Sequence, residues 1–151
     1  MNIAILAVGR MKKGPEKNLW DFYARRLRWS LILKEVEVKN SFGAEQIKRK
    51  EADLLLSKVP KGAFLITMDQ KGLALSSVDF ANNILDWQDS GINDLAIAIG
   101  GSEGLDNVIL DKANLSISMG SMTWPHMLAR VMLLEQVYRV QCILNGHPYH
   151  K

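Results

Sequence analysis

The chain has 151 residues, enough for one domain with a substantial core, and its 48% apolar and 23% charged residues are typical of a globular rather than a disordered protein. Its single cysteine, Cys142, excludes an internal disulfide, and its three scattered histidines offer no zinc-site spacing. A net charge of +3 gives a weak indication of an anionic partner, and because no apolar run reaches the ~18 residues of a membrane helix we expect a cytoplasmic protein.

Strand and helix patterns alternate along the whole chain. Apolar runs bounded by turn residues predict strands at 3–8, 31–39, 63–68, 95–99 and 115–119. Amphipathic stretches predict helices from 15 onward and at 44–59, 76–90, 106–112 and 126–144. Pro15 suits a first helical turn, and Ser76 with Asp79 forms a capping-box pattern. This order predicts a single α/β domain over 1–151, with a mostly parallel sheet of five or six strands and helices on both faces.

The stretch that contains the first predicted helix and the turn before it is basic. Seven cationic residues lie here: Arg10, Lys12, Lys13, Lys17, Arg25, Arg26 and Arg28. Only Glu16 and Asp21 oppose them. Such a flank can follow the phosphates of a nucleic acid, or it can be an ordinary solvated helix face, and charge alone favours the second interpretation.

Three loops leave the carboxyl ends of the apolar strands, where open parallel sheets bind ligands. They begin at Met68, Gly100 and Met119. The dinucleotide fingerprint G-x-G-x-x-G and the lysine of a phosphate-binding loop are both absent, and Glu103 stands where a phosphate would sit. A ligand with adenine and ribose but no phosphates therefore fits these loops better than an ordinary nucleotide.

The segment at 118–126 is a stiff elbow between the fifth strand and the last helix. Gly120 permits unusual backbone angles and Pro125 fixes one, which leaves free backbone N–H groups beside Met122 and Trp124. Such an elbow can grip a flat, polar-edged ligand, or it can be only a tight connection.

The last helix and the residues after it carry polar groups that a buried helix does not need. Glu135 and Arg139 are four residues apart in the order that favours an ion pair, which is usually a plain helix stabiliser. In the tail at 147–150, a tyrosine that can stack on a base lies between imidazoles that can handle protons. The alternative is a terminus that simply packs on the protein.

Five segments together resemble the RlmH (YbeA-like) family of SPOUT-class methyltransferases, from one end of the chain to the other. They are the Ile-x-Ala-Val-Gly strand at 5–9, Ile99-Gly100-Gly101 with Gly104-Leu105, Met122-Thr123-x-Pro125-His126, the Glu-Gln-Val-Tyr-Arg segment at 135–139, and His-Pro-Tyr-His at 147–150. Five segments in the same order and at matching spacing make the resemblance specific.

The resemblance implies a fold, a methyl donor and an assembly. The fold would be an α/β knot with the C-terminal part threaded through a loop, and the protein would be a homodimer with a site built between subunits. S-adenosylmethionine would be the methyl donor, with no metal needed. Carried over position by position, its contacts are Met68, Gly100, Gly101, Met119, Gly120, Ser121, Met122, Thr123 and Trp124. The family usually has leucine at the position of Met68, so we expect a contact there mainly through the backbone.

The implied reaction is methyl transfer to N3 of a pseudouridine in the 23S ribosomal RNA of the large subunit, whole ribosomes included. The implied catalytic residues are Glu135, Arg139, Tyr149 and His150. Candidate acceptors for the N3 proton are Glu135, His147 and His150, while Arg130 and Arg139 can hold phosphate or polarise a carbonyl. Tyr149 can stack on the base, so we expect the tail to serve the RNA rather than the donor.

Dimerisation also has a sequence argument. The apolar residues of the last helix, among them Val131, Leu134 and Tyr138, exceed what one thin sheet needs to cover it.

Two other functions stay open at this point. The chain can be an RNA-binding module without catalysis, which predicts no affinity for S-adenosylmethionine. It can also be a SPOUT methyltransferase for another RNA such as transfer RNA, which predicts that affinity but a different substrate.

Overall fold

A computed structural model describes residues 1–39 and 42–151. Strands and helices alternate in it as β1 (Asn2–Val8), α1 (Pro15–Ala24), β2 (Ser30–Val36), α2 (Ala44–Lys58), β3 (Phe64–Ala74), α3 (Ser77–Asp89), β4 (Asp94–Ile99), α4 (Asn107–Leu110), β5 (Leu115–Ser118) and α5 (His126–Leu144). The five strands form one sheet in the order β2-β1-β4-β3-β5, and each pairing in it is parallel. The prediction of an α/β fold built on a parallel sheet is confirmed.

The helices cover both faces of this sheet, each over its own apolar cluster. Trp20, Phe80 and Leu134 bury one face beneath α1, α3 and α5. Leu55 and Ile109 bury the other beneath α2 and α4. A strand covered on both sides must be apolar at every position, which explains why β1 and β4 lack the alternation of a half-exposed strand.

The third strand is longer than the sequence predicts. We expected it to end at Met68, but it continues to Ala74 because Met68 and Leu73 both pair with Ile117 across a bulge. A Cβ atom at Gly72 would lie 2.7 Å from the backbone of Ile117, so only glycine allows this close approach. The sequence of residues 70–72 is typical of a turn, but these residues form a bulge within the strand.

Other predicted boundaries differ less. The second strand ends at Val36 rather than at 39, α4 is shorter than predicted, and β5 ends one residue early. Ser76 caps α3 with the predicted capping box, since its side chain accepts a hydrogen bond from the Asp79 N–H and the Asp79 carboxylate accepts from the Ser76 N–H. None of the helices among the described residues is long and apolar enough to cross a membrane.

The last helix begins at His126 as predicted, and it begins over the middle of the sheet. Arg130, in its first turns, bonds the carbonyl groups at the end of β1, whereas β5 lies at the sheet edge. The connection at 119–125 therefore crosses the carboxyl ends of β3 and β4. Val131, Leu134 and Tyr138 are buried within this chain, so our argument that they exceed what the sheet needs is wrong.

Candidate active site

A cleft of about 800 Å³ runs along α5, between α1, α3, the ends of β3 and β5, and the C-terminal tail. It brings together residues that the sequence assigned to two separate roles. Those that line it are Met68, Met119 and Gly120 from the predicted donor contacts and Glu135, Arg139 and Tyr149 from the predicted catalytic residues. Gly100, Gly101 and the elbow residues at 121–124 do not line it.

The Glu135 carboxylate is the centre of a hydrogen-bond network in this cleft. Its Oε1 accepts from Nε of Arg139 at 3.0 Å and from the hydroxyl of Tyr149 at 2.9 Å, and Nη2 of Arg139 donates to the same oxygen. Its Oε2 accepts from Nε2 of Gln136 at 2.7 Å. Because both oxygens accept hydrogen bonds from its neighbours, the carboxylate orients Arg139, Tyr149 and Gln136 around the cleft.

The neighbours of Glu135 are held in defined protonation states. The hydrogen bond to Glu135 is the main cause that raises the pKa of Arg139, so this guanidinium stays charged. Burial, followed by hydrogen bonds with Tyr23 and Glu135, raises the pKa of Tyr149, so its hydroxyl remains a donor at neutral pH. Nη1 of Arg139 lies 3.4 Å from Nδ1 of His150, so the imidazole of the tail lies beside the charged guanidinium of Arg139.

The tail is docked on the protein through Tyr149. Its ring packs edge-on against Tyr138 with centroids 4.9 Å apart, and the Arg139 guanidinium lies 4.7 Å from the Tyr149 ring centroid. The Tyr149 hydroxyl also lies 3.4 Å from that of Tyr23. His147 is exposed and accepts only the Tyr149 N–H, at 3.2 Å. The structure thus brings Tyr149 and His150 to the Glu135 network and leaves His147 outside it.

The elbow at 118–124 keeps its shape through its own hydrogen bonds. The Ser118 hydroxyl accepts from the Gly120 N–H at 3.2 Å, and the Trp124 indole N–H donates to the Met119 carbonyl at 3.4 Å. The Gly120 backbone has a φ of +101°, and a Cβ there would meet no atom within 4 Å. The N–H groups of 121–123 have no hydrogen-bond partner among the described residues. The elbow therefore offers free donors and open space, as the sequence predicts.

The elbow is also tied to the bulge of β3. Nε2 of Gln70 donates to Oγ1 of Thr123 at 3.0 Å. Met122 extends outward with 71% of its surface exposed, and Trp124 with 38%. Two large apolar side chains therefore lie beside backbone donors that have no partner within 1–39 and 42–151.

The glycines of the loop after β4 allow close packing against other parts of the same chain. A Cβ at Gly100 would lie 2.6 Å from the backbone carbon of Gly104, and one at Gly101 would lie 3.0 Å from the carboxylate of Glu51. The absence of a side chain at Gly100 therefore makes room for the chain's own backbone at Gly104 rather than for a ligand. Burial, and then the nearby Glu103, raises the pKa of Glu51 beside this loop.

Arg130 is buried and cannot hold a phosphate, so that candidate role is wrong. Its Nη1 donates to Oε1 of Glu35 at 2.9 Å, and its Nη2 donates to the carbonyls of Val8 and Gly9. The desolvation by burial lowers the pKa of His126, and the Arg130 charge 3.2 Å away adds to this effect. Arg130 therefore anchors the start of α5, and with it the far end of the elbow, to β1 and β2.

The sequence did not indicate that three further residues belong to this network: Tyr23, Ser77 and Gln136. Gln136 links Glu135 to α3, because its Oε1 accepts from the Ser77 hydroxyl at 2.6 Å, and Tyr23 supplies a hydroxyl beside Tyr149. In the sequence, Tyr23 fits the apolar spacing of an amphipathic helix, so nothing indicated a role for its hydroxyl. No local pattern joins Gln136 to Ser77, which lies 59 residues earlier. No group of three or more metal-ligating side chains occurs within 1–39 and 42–151.

Comparisons with known proteins show what the chain is similar to. A family model described as a predicted SPOUT methyltransferase matches residues 1–150. Ribosomal RNA large subunit methyltransferase H of Paramagnetospirillum magneticum is 48% identical over 151 residues, covering 100% of this chain and 99% of that protein. The protein of the same name from Agrobacterium fabrum is 44% identical over 160 residues, with the same coverage of both chains. A solved probable methylase family protein from Haemophilus influenzae shares the fold with a TM-score of 0.58 at 14% identity, covering 99% of this chain and 70% of that one.

Proposed function

Because the chain belongs to the SPOUT methyltransferase family, we propose that it methylates N3 of a pseudouridine in the RNA of the large ribosomal subunit, in the cytoplasm, with S-adenosylmethionine as donor. The observation that carries this proposal is the cleft along α5. There the network of Glu135, Arg139 and Tyr149 lies beside Met119 and Gly120 of the elbow.

The elbow fits the methyl donor. Its N–H groups at 121–123 are unpaired within the described part of the chain, which suits the acceptor edge of an adenine. Met68 and Met119 supply apolar contact from the cleft wall, and Gly120 leaves room above the backbone. The absence of a phosphate-binding loop suits a nucleoside that carries no phosphate.

The residues of the cleft then have to align the base and manage one proton. The donor, when bound, supplies an electrophilic methyl group on a sulfonium. N3 of the base must lose its proton for the new N–C bond to form, and a positioned side chain typically contributes about 10²–10⁴-fold to such a step. Glu135 lines the cleft, and His150 lies at the edge of its network with Nδ1 3.4 Å from Nη1 of Arg139, so both stay candidates for accepting that proton. Arg139, charged and fixed by Glu135, can steady the developing charge on the adjacent base carbonyl.

The same proposal includes the assembly and the knot. Leu19 of α1 is a large apolar residue that lines the cleft and is exposed, so a second copy has an apolar contact to make there. The path of 119–125 across two strand ends is the geometry that a threaded chain requires. We propose that the whole of 1–151 acts as one catalytic domain in a homodimer.

Calorimetry with S-adenosylmethionine, followed by tritiated-methyl transfer to whole ribosomes, tests the function. We expect binding and transfer, with the label in large-subunit RNA. Binding without transfer to ribosomes would indicate another RNA substrate, and no binding would leave only an RNA-binding module.

The assignment of the tail has its own variants. His150→Ala should slow methyl transfer by more than about a hundredfold, which corresponds to ~3 kcal/mol of transition-state stabilisation, while donor affinity stays within a few-fold of wild type. His147→Ala is the matched control, since His147 lies in the same tail but outside the network, and it should remain active. If the affinity of the His150→Ala protein for the donor collapsed with its turnover, the tail would be a lid over the donor rather than part of the RNA site.

A further inference from the structure

The basic flank of the chain divides into two groups at opposite ends of α1. The loop trio, Arg10, Lys12 and Lys13, follows β1 at the carboxyl edge of the sheet. The helix-end trio, Arg25, Arg26 and Arg28, follows the last turn of α1 at the amino edge, just before Ser30 pairs with Asn2. A ten-residue helix spans about 15 Å, so the two trios cannot serve one contact point.

The helix-end trio borders the Glu135 network. Tyr23, in the last turn of α1, has its hydroxyl 3.4 Å from that of Tyr149 and its ring centroid 5.9 Å from that of Tyr138. The backbone N–H of Arg28 donates to Oε1 of Gln141 at 2.7 Å, which fixes the end of the trio to α5. The trio is therefore held next to the half of α5 that carries Arg139.

The charges of the helix-end trio are not neutralised by the protein. All three side chains are exposed, and none of them forms an ion pair with any residue of 1–39 or 42–151. Arg10 of the loop trio, by contrast, pairs with Glu37 at 2.9 Å. Arg26 also stacks on Phe22, with its guanidinium 3.4 Å from the ring centroid, and Phe22 is 40% exposed.

We propose that the helix-end trio binds the phosphate backbone of the RNA strand next to the methylated base. Guanidinium groups match phosphate oxygens in pairs, and a cation stacked on an aromatic ring is a surface on which single-stranded RNA packs. The trio has the charge, the exposure and the position beside the Glu135 network that such a strand requires. This inference rests on the proposed function, because it takes its partner from the RNA substrate.

Two triple variants with the same charge change test the inference. The helix-end variant is Arg25→Gln, Arg26→Gln and Arg28→Gln, and the matched control is Arg10→Gln, Lys12→Gln and Lys13→Gln. For each we would measure the KM and kcat of methyl transfer to whole ribosomes at several salt concentrations. Donor affinity by calorimetry and retention of protein-free ribosomal RNA on filters complete the set.

The helix-end variant should raise KM about tenfold or more, with kcat and donor affinity close to wild type, because phosphate contacts supply affinity rather than chemistry. Loss of three phosphate contacts should reduce the slope of log KM against log salt by about 2, since each contact to a single strand contributes about 0.7. The control should change KM by less than about threefold, because its charges lie ~15 Å away.

Three results would overturn the inference. Equal effects of the two variants would mean that only the net charge matters, and an unchanged KM in the helix-end variant would mean a solvated helix face. A KM effect on ribosomes with unchanged retention of protein-free RNA would mean that the trio contacts a ribosomal protein. A wild-type protein that transfers no methyl group contradicts the proposed function instead, and RNA retention by the two variants still decides the role of the trio.

Discussion

Replacing Arg130 by methionine should destabilise the protein more than replacing any exposed arginine. Arg130 is fully buried, and its guanidinium donates to Glu35 and to the carbonyls of Val8 and Gly9. Methionine fills much of the same volume but supplies no donor. The variant would therefore leave the two carbonyl oxygens without this donor, and Glu35 without its cationic partner although it still accepts from the Met11 N–H.

The magnitude follows from what is left unpaired. Breaking a buried ion pair from one side typically costs ~3–5 kcal/mol. Two features place Arg130→Met near the lower end of this range. Glu35 keeps 26% of its side-chain surface in contact with water, and Nε of Arg130 is already buried without a partner. We therefore expect a loss of about 3 kcal/mol, which lowers the melting temperature by roughly 6–12 °C in a chain of this size.

Urea unfolding followed by circular dichroism measures this loss, and Arg49→Met is the matched control. Arg49 contacts Asp53 at 3.6 Å and Asp106 at 4.0 Å, but 57% of its side chain is exposed, so its removal should cost less than ~1 kcal/mol. If the two variants lost similar stability, Arg130 would not be the anchor that we describe. An Arg130→Met protein with the unfolding free energy of the wild type would also remove the argument for a fixed elbow.

Three further expectations concern other parts of the molecule. Gly72→Ala should destabilise by about 1–3 kcal/mol because its Cβ would meet the β5 backbone at 2.7 Å, whereas Gly43→Ala, whose Cβ would meet no atom of 1–39 or 42–151 within 4 Å, should cost less; thermal unfolding compares them. Gln136→Leu should lower kcat without changing donor affinity, and it should have no further effect in a Glu135→Gln background, which a double-mutant kinetic cycle reveals. Because burial lowers the pKa of His126, its contribution to stability is complete above its unfolded value of 6.5 and is lost as pH falls below it; His126→Asn should flatten the stability profile below pH 6.5.

Local patterns in the sequence predicted much of this molecule. The apolar periodicities found the strands and the full span of α5, and the capping box found the start of α3. The spacing of Glu135 and Arg139 predicted their ion pair. Five motifs identified the SPOUT methyltransferase family, and the comparisons confirm it.

The features that sequence could not predict depend on distant partners. The strand β3 continues past Met68 because Gly72 lies against Ile117 of β5. No residue close to Gly72 in the sequence indicates this pairing with β5. Arg130 was expected to hold phosphate or polarise a carbonyl, and its burial could not be predicted because its partners, Glu35 and the end of β1, are about a hundred residues away. Burial of Tyr138 likewise depends on packing against Tyr23 of α1 and Tyr149 of the tail rather than on helix periodicity.

The strand order has a consequence for how the chain folds. The second neighbour of β1 is β4, and the hydrogen bond between Asn2 and Asp94 joins residues 92 positions apart. Strand pairs so distant in sequence form late, because the entropy of closing a long loop is lost before the strands make stabilising contacts. We therefore expect folding in milliseconds to seconds rather than microseconds. Before β4 pairs with β1, the backbone groups along one edge of β1 have no partner strand, and nearly all residues of β1 are apolar. A chain interrupted between α3 and β4 would carry that open edge permanently, which makes it a template for aggregation.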